Sequence, residues 1–272
     1  MNKKLKGFQF DKMNEYRVIG FNNNYSICYF NALIQCLISL KQFRKFIFKQ
    51  DISENINSKN IEYINKFKNF FNNPEPNFPT MLLQDMDLLY PNECSLEYLG
   101  ILIEKLNCED LFKHERIIEL KCPICGFCTN MKDIANYSEI KTCFGSSFKT
   151  NNTKCDKCKN TVDKECISKL YSFSNIFALY KDKNIKYPVD FSIKTSKGKI
   201  NYKLCGLIVH FDKGITSENR GSNSGHYISI VKDSFNENKW YSIDDSIVKS
   251  YDVISGDAPF HDDVFILFYE KV

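Results

Sequence analysis

A cysteine stands at the start of a helix-like segment near the beginning of this 272-residue sequence. Cys28 follows a polar, asparagine-rich loop and opens the apolar pattern CYFNALIQCLISL, in which Cys36 is expected to lie in the core. A thiol at a helix N-terminus is favoured as thiolate by unpaired backbone N–H groups and by the positive end of the helix dipole. Cys28 is therefore a candidate nucleophile, although one more buried cysteine among twelve is the alternative.

A thiolate nucleophile needs a general base, and the base needs a group that orients its ring. His226 lies in SGHYISIV, where a flexible loop enters a predicted strand, and Asp244 and Asp245 follow in WYSIDD. A strand, a turn and a returning strand would place Asp244 beside His226 on neighbouring antiparallel strands. A half-buried strand histidine is the alternative for His226 alone. A serine nucleophile is not favoured, because the third residue of GSNSG is Asn223 where G-x-S-x-G requires serine.

Four cysteines in two C-x-x-C pairs have the spacing of metal ligands. Cys122 and Cys125 lie in CPIC, and Cys155 and Cys158 lie in CDKC. Two such pairs can supply four thiolates to one tetrahedral Zn²⁺, and a site with four protein ligands has a structural role. We predict one structural Cys₄ zinc site; free thiols are the alternative, and a nucleic-acid-binding zinc ribbon would use the same ligands. Three nearby residues have poorer spacing as substitute ligands: His114, Cys128 and Cys143.

Composition and charge favour a folded intracellular protein. Hydrophobic residues make up 43% of the chain, and 37 basic against 33 acidic residues give a net charge of only +4. A dedicated nucleic-acid binder usually has a larger and more clustered basic excess. The first twenty residues lack the apolar core of a signal peptide, and no run of about 18 apolar residues exists. We expect a nuclear or cytoplasmic location, with neither nucleic acid nor membrane as partner.

The first half of the sequence has helical periodicity, and the second half has short β-branched and aromatic segments. A helix is predicted in KNIEYINKFKNFF, a proline-bearing loop in 72–80 and a further helix in ECSLEYLGILIEKLN. From about residue 112, segments such as NYKLCGLIVHF, HYISIVKD and DVFILFYE indicate a mostly antiparallel sheet. Helices followed by such a sheet predict an α+β fold. The residues predicted to face inward are Ile61, Ile64, Phe67 and Phe71 in one helix and Leu96, Leu99, Ile103 and Leu106 in the other.

Five blocks resemble, in order, the motifs of the ubiquitin-specific protease family of cysteine deubiquitinases. They are GFNNNYSICYFNALIQCL (cysteine box), NECSLEYL (glutamine-rich helix), the paired cysteines (zinc-bearing fingers), YKLCGLIVHF with SGHYISIV and KWYSIDDSIV (histidine box), and DVFILFYEKV (closing strand). The resemblance implies a papain-like cysteine protease of fingers–palm–thumb architecture, with a helical thumb, zinc-binding fingers and an antiparallel palm sheet. It implies one catalytic domain over 1–272, with the thumb at about 19–111, the fingers at about 112–170 and the palm at about 171–272.

The resemblance also implies a role for each candidate catalytic residue. Cys28 would attack the (iso)peptide carbonyl after the C-terminal glycine of ubiquitin. His226 would take the thiol proton and then protonate the leaving amine, and Asp244 would hold the imidazole. Asn23 would stabilise the oxyanion with its side-chain amide, and Asp245 would be a supporting acid.

The implied partners are ubiquitin, ubiquitinated proteins and a larger recruiting complex, with Glu97 and Tyr227 as ubiquitin-binding residues. The loop FDKGITSENRGSNSG would cover the ubiquitin tail. The sequence departs from the family pattern where Tyr25-Ser26-Ile27 replaces Gly-Asn-Thr. Because the glycine is lost, we expect a strained loop before the nucleophile. A catalytically weak or inactive ubiquitin-binding scaffold of the same fold is therefore the alternative function.

Overall fold

The computed structural model describes most of the chain: residues 17–49, 57–140, 147–150, 152–181, 185–195, 198–212, 225–234, 236, 238–252 and 263–272. Within these residues the helices come first along the chain. They are α1 (Cys28–Ser39), α2 (Lys41–Lys49), α3 (Ser58–Asn72), α4 (Phe78–Asp85), α5 (Ser95–Leu106) and the short α6 (Glu109–Phe112). No helix among the described residues is long and apolar enough to cross a bilayer.

The strands follow the helices. They are β1 (His114–Lys121), β2 (Cys128–Ala135), β3 (Tyr137–Glu139), β4 (Ser147–Lys149), β5 (Thr153–Lys154), β6 (Thr161–Val162), β7 (Glu165–Ser172), β8 (Ile176–Tyr180), β9 (Asp190–Thr195), β10 (Gly198–Asp212), β11 (Gly225–Lys232), β12 (Lys239–Asp244), β13 (Ile247–Asp252) and β14 (Val264–Lys271).

These strands form three sheets in the described part of the chain. A four-stranded sheet has the order β2-β1-β7-β4, and β5 and β6 form a two-stranded ribbon. An eight-stranded sheet has the order β13-β12-β11-β10-β14-β8-β3, with β9 paired to β10. Every described strand pair is antiparallel except β3 with β8. The predicted α+β fold with a mostly antiparallel sheet is confirmed.

Helix α1 lies at the centre of the core, between the other helices and the eight-stranded sheet, and all of its residues are buried. The helix packs on β10 at Gly206, where a Cβ atom would lie in van der Waals contact with Cys36 Sγ at 3.4 Å. Cys36 is fully buried, and its thiol donates to the Leu207 carbonyl at 3.5 Å. This contact packs the C-terminal half of α1 against β10.

The helical faces differ in part from the prediction. In α3 the predicted Ile61 and Phe71 are only partly buried, and the buried face is formed by Tyr63, Ile64, Phe67 and Phe70. The face is rotated because aromatic contacts determine it: Phe67 and Phe70 both pack on Phe78. In α5, Leu99, Ile103 and Leu106 are buried as predicted, Leu96 is only partly buried, and Tyr98 and Leu102 complete the face.

The predicted proline-bearing loop over 72–80 is wrong at its end, because α4 begins at Phe78. Pro79 lies in the first turn of that helix, where the missing N–H has no intrahelical acceptor to lose. Helix α2 was not predicted.

Candidate active site

The loop before α1 brings Cys28 to the N-terminus of a buried helix. The Asn23 side-chain oxygen accepts the Ile27 N–H at 2.7 Å, which closes the loop over itself. Ser26 has φ +56°, which lies in the left-handed region that residues other than glycine and asparagine rarely adopt. The backbone strain expected in this loop therefore lies at Ser26. The Asn92 N–H donates to the Ser26 carbonyl at 3.1 Å and holds this turn from the neighbouring segment.

The Cys28 thiol is 5% exposed, and burial raises its pKa. Hydrogen bonds from backbone N–H groups, led by that of Tyr227 on β11, lower this pKa, and the negative charge of Asp245 raises it. Burial is the largest of these effects, so the resting thiol is protonated at neutral pH. A base must therefore remove its proton before it can act as a nucleophile.

His226 and Asp244 meet on neighbouring strands, β11 and β12. The His226 Nε2–H donates to Asp244 Oδ1 at 2.6 Å, which leaves Nδ1 as the ring atom able to accept a proton. Among the described residues, no hydrogen bond joins Cys28 to the His226 ring. The structure thus has an oriented base that forms no hydrogen bond with the Cys28 thiol, and catalytic hydrogen bonds are often long or poorly aligned in empty sites.

Asp245 connects the loop before α1 with the turn after β12. Its two carboxylate oxygens accept from the amides of Asn23 (2.8 Å) and Asn31 (2.7 Å), and its carbonyl accepts the Phe21 N–H at 2.8 Å. The residue has φ +50°. Burial raises the pKa of Asp245, while the Asn31 and Asn23 N–H groups lower it. Asp245 is thus a tether between the two halves of the site.

Asn31 is the residue of this site that sequence reasoning missed. It lies three positions after Cys28 and is 2% exposed. The available signal was a polar amide in an otherwise apolar helical segment.

The two residues predicted to bind ubiquitin have different surroundings. Glu97 is exposed in the first turn of α5. Tyr227 is 8% exposed, and its ring stacks on His210 with centroids 4.1 Å apart. A contact of either residue with ubiquitin stays a prediction. The loop predicted to cover the ubiquitin tail lies almost wholly outside the described residues.

The four cysteines of the two C-x-x-C pairs converge at the end of the four-stranded sheet. The sulfur atoms of Cys122 and Cys158 are 3.8 Å apart, and those of Cys125 and Cys155 are 3.6 Å apart. Four sulfurs around one Zn²⁺ at ~2.3 Å lie about 3.8 Å from each other, so the cluster has the size of a zinc site. N–H groups, first that of Cys158, lower the pKa of Cys155 to about 6; at Cys125 the Phe127 N–H lowers the pKa, but burial and the neighbouring thiols outweigh it and raise this pKa to about 11.

The substitute ligands fall outside this cluster. Both His114 ring nitrogens are used in the core, with Nδ1 at 3.1 Å from the Phe112 carbonyl oxygen and Nε2 at 2.7 Å from Ser138 Oγ. The exposed Cys128 thiol donates to the Gly126 carbonyl at 3.5 Å. Cys143 lies outside the described residues. The cysteine cluster therefore consists of the four residues with the better spacing.

A thiol at a helix N-terminus and a His–Asp pair on a facing antiparallel sheet define the class of papain-like cysteine hydrolases. Residues 19–269 match the model of the family described as ubiquitin carboxyl-terminal hydrolase, and the chain belongs to this family. Its fold is the fingers–palm–thumb arrangement of that family.

A curated relative is similar in sequence, and solved structures are similar in fold. The mouse (Mus musculus) ubiquitin carboxyl-terminal hydrolase 17-like protein B is 26% identical over 159 residues, which cover 50% of this chain and 31% of that protein. The SAGA DUB module Ubp8/Sgf11/Sus1/Sgf73 bound to monoubiquitin has a similar chain, with a TM-score of 0.70 and 19% identity over 99% of this chain and 74% of that one. The same module bound to ubiquitin aldehyde gives a TM-score of 0.70 and 19% identity over 94% and 70% of the two chains.

Proposed function

We propose that this chain is a thiol-dependent deubiquitinase that hydrolyses the (iso)peptide bond after the C-terminal glycine of ubiquitin. The observation that carries the proposal is the oriented His226–Asp244 pair, at 2.6 Å, on the sheet whose β11 backbone also faces the Cys28 thiol. Membership of the ubiquitin carboxyl-terminal hydrolase family supplies the substrate class.

The reaction proceeds in two halves. His226 Nδ1 takes the Cys28 thiol proton, and the thiolate attacks the carbonyl carbon of ubiquitin's terminal glycine. The Asn23 amide and backbone N–H groups near Cys28 stabilise the tetrahedral oxyanion. The C–N bond then breaks as the imidazolium gives its proton to the leaving lysine amine. Water, deprotonated by His226, hydrolyses the thioester and releases ubiquitin and the Cys28 thiol.

Asp244 keeps the base in one tautomer throughout this cycle. Because Nε2–H is held by its carboxylate, Nδ1 stays available to the thiol, and the imidazolium that forms lies beside a negative charge.

The test is hydrolysis of ubiquitin carrying a fluorophore on its terminal carboxyl, followed over time. The wild type is expected to release the fluorophore, and Cys28→Ala is expected to release none. Cys36→Ala is the matched control, since that thiol lies on the same helix but is fully buried. Equal turnover by Cys28→Ala would remove Cys28 as the nucleophile.

A ubiquitin-binding scaffold with little activity is the second candidate. Two observations favour it: the left-handed Ser26 before the nucleophile, and a thiol without a hydrogen bond to the His226 ring in the described structure. Tight binding of ubiquitin conjugates without cleavage, even after partner complexes are added, would support the scaffold hypothesis over the deubiquitinase hypothesis.

We propose further that Cys122, Cys125, Cys155 and Cys158 hold one structural Zn²⁺ per chain. All four ligand sulfurs lie within 4.8 Å of one another, and all four cysteines are free of disulfides. With four thiolates bound, the ion has no position open for water, so it has a structural role. Elemental analysis of the purified protein is expected to give about one zinc per chain. Protein with native thermal stability and no metal would exclude the site.

The proposed partners are ubiquitin, ubiquitinated proteins and a larger recruiting complex, in a nuclear or cytoplasmic setting. The similar Ubp8 chain is part of a module with Sgf11, Sus1 and Sgf73, and this likeness motivates the recruiting complex. Affinity purification of the tagged chain, with a Cys28→Ala variant to retain ubiquitin conjugates, tests both kinds of partner. Recovery of the chain without any stoichiometric protein would contradict the recruiting complex.

A further inference from the structure

Asn31 is an amide that the proposed reaction does not use. It lies on α1 and is 2% exposed. Its Nδ2 group donates to Asp245 Oδ1 at 2.7 Å and to the Asn22 carbonyl at 3.2 Å. Because an amide nitrogen has two hydrogens, both are used, and a reversed amide would turn its oxygen toward two acceptors. The orientation of Asn31 is therefore fixed.

The second carboxylate oxygen of Asp245 binds the loop before the nucleophile. Asp245 Oδ2 accepts from Asn23 Nδ2 at 2.8 Å, and the Asn23 side-chain oxygen accepts the Ile27 N–H. One Nδ2 hydrogen of Asn23 then remains for an oxyanion. The line from Asn31 through Asp245 to Asn23 sets where that hydrogen points.

Asn31 is not explained by stability alone. Its Oδ1 atom is buried without a hydrogen-bond partner among the described residues. A buried acceptor without a partner costs folding free energy, and such an atom in a native structure calls for a specific reason. Its position three residues after Cys28, with both hydrogens committed toward Asp245 and the loop, supplies that reason.

We propose that Asn31 is a positioning residue for the thiol reaction: it holds the Asp245 carboxylate so that Asp245 aims the Asn23 amide at the developing oxyanion. The inference rests on the proposed deubiquitinase function and deepens it, because it names how the oxyanion donor is kept in place. Asn31 itself touches neither the nucleophile's target nor the leaving group.

The arrangement has a pH signature. The Asp245 carboxylate must be ionised to accept from both amides. Burial raises its pKa and the Asn31 and Asn23 N–H groups lower it, so loss of the Asn31 amide raises this pKa further. The groups that face Asp245 are Cys28 and Asn31 from α1, Asn23 from the preceding loop, His226 from β11 and the adjacent Asp244 of β12.

The first experiment compares the pH profiles of wild type and Asn31→Ala on ubiquitin–fluorophore. We expect kcat to fall about 10- to 100-fold with KM little changed, less than the loss of an oxyanion donor itself. We also expect the acid limb of kcat to move to higher pH. Gln35→Ala is the matched control, since Gln35 is a buried amide on the same helix that donates to the Ile19 carbonyl at 2.6 Å. It is expected to lower Tm without moving the acid limb.

The second experiment repeats the substitution in an Asp245→Asn background, where the side chain cannot ionise. If Asn31 acts through Asp245, Asn31→Ala then has no further effect on kcat or on the acid limb. Equal and additive losses in both backgrounds would overturn the proposal, as would a folded Asn31→Ala protein with the wild-type profile.

A readout without turnover separates this inference from the proposed function. The Asn23 side-chain NH₂ signal is followed by NMR against pH in wild type and Asn31→Ala. We expect its titration midpoint to rise in the variant, whether or not the protein cleaves ubiquitin. An unchanged midpoint would overturn the positioning role even in an active enzyme. A moved midpoint in a protein without activity would keep the positioning role and reject the deubiquitinase.

Discussion

At the scale of single residues, the His226–Asp244 hydrogen bond decides which imidazole nitrogen can serve the thiol. Asp244→Asn can present its NH₂ to the ring and select the wrong tautomer, so we expect kcat/KM to fall about 10²- to 10⁴-fold. Tm should change little, because both side chains are partly exposed. Ubiquitin–fluorophore hydrolysis and thermal unfolding measure the two effects.

Asp190→Asn is the control for this substitution, since Asp190 is an exposed strand residue on β9. It is expected to keep wild-type activity. An Asp244→Asn enzyme with unaltered kcat/KM would show that another group orients His226.

The turn before Cys28 places Ser26 in the left-handed region of backbone conformation. A left-handed backbone costs a β-branched residue about 1–2 kcal/mol and costs glycine almost nothing. We expect Ser26→Val to be less stable than Ser26→Gly by about this amount in chemical denaturation. Tyr25→Val is the control, because Tyr25 has an ordinary negative φ and an exposed ring. Equal stability of the Val and Gly variants would mean that the turn at Ser26 relaxes freely.

At the scale of elements, His114 joins α6, β1 and β3 through its two ring nitrogens. Burial lowers the pKa of His114, so the imidazole binds its second proton less tightly in the folded protein than in the unfolded chain. The buried neutral imidazole therefore contributes to the free energy of unfolding above the ordinary imidazole pKa of about 6.5. This contribution is lost as pH falls through the lower pKa of the folded state.

We therefore expect the wild type to lose more Tm between pH 7 and pH 5 than His114→Gln does. The variant starts from a lower Tm at pH 7, because the replacement loses the packing of His114 against Phe177. Thermal unfolding across this pH range measures the difference. Parallel loss in the two proteins would assign the acid sensitivity to other groups.

The elements that carry the site could be predicted from sequence, whereas helices α2 and α4 could not. Helix α1 and strand β11 are almost wholly buried, so their sequences are nearly unbroken apolar segments, and β12 contains aromatic and β-branched residues. Helix α4 was not predicted because proline usually indicates a loop. In the first turn of a helix, where Pro79 lies, proline is compatible with the helix.

Within the site, pairing on neighbouring strands was enough to bring Asp244 to His226. The Asn31 contact and the left-handed conformations of Ser26 and Asp245 depend on tertiary packing. In particular, Gly20 lies so close to the Ser246 backbone that a Cβ there would be 2.4 Å from the Ser246 carbonyl oxygen. No local sequence pattern predicts this contact between Gly20 and Ser246.

At the scale of the whole molecule, the cysteine cluster lies at the turns of β1–β2 and β5–β6, whereas the His226–Asp244 pair lies on the eight-stranded sheet. The cluster closes the loop between β1 and β2 against the ribbon of β5 and β6. We expect Cys122→Ser to abolish zinc binding and to lower amide-exchange protection in β1 and β2, with β11 and β12 affected little. Hydrogen exchange measured by mass spectrometry tests this. Cys128→Ser is the control, as that thiol lies outside the cluster. Uniform loss of protection would mean that the metal stabilises the whole fold as one unit.

We propose Cys28 as the nucleophile of a deubiquitinase. The most direct measurement is intact mass after incubation with ubiquitin that carries an electrophile in place of its terminal carboxylate. We expect one adduct per wild-type chain, none for Cys28→Ala, and slower formation for Asp244→Asn. A wild-type protein that forms no adduct, or a Cys28→Ala protein that forms it equally well, would contradict the claim.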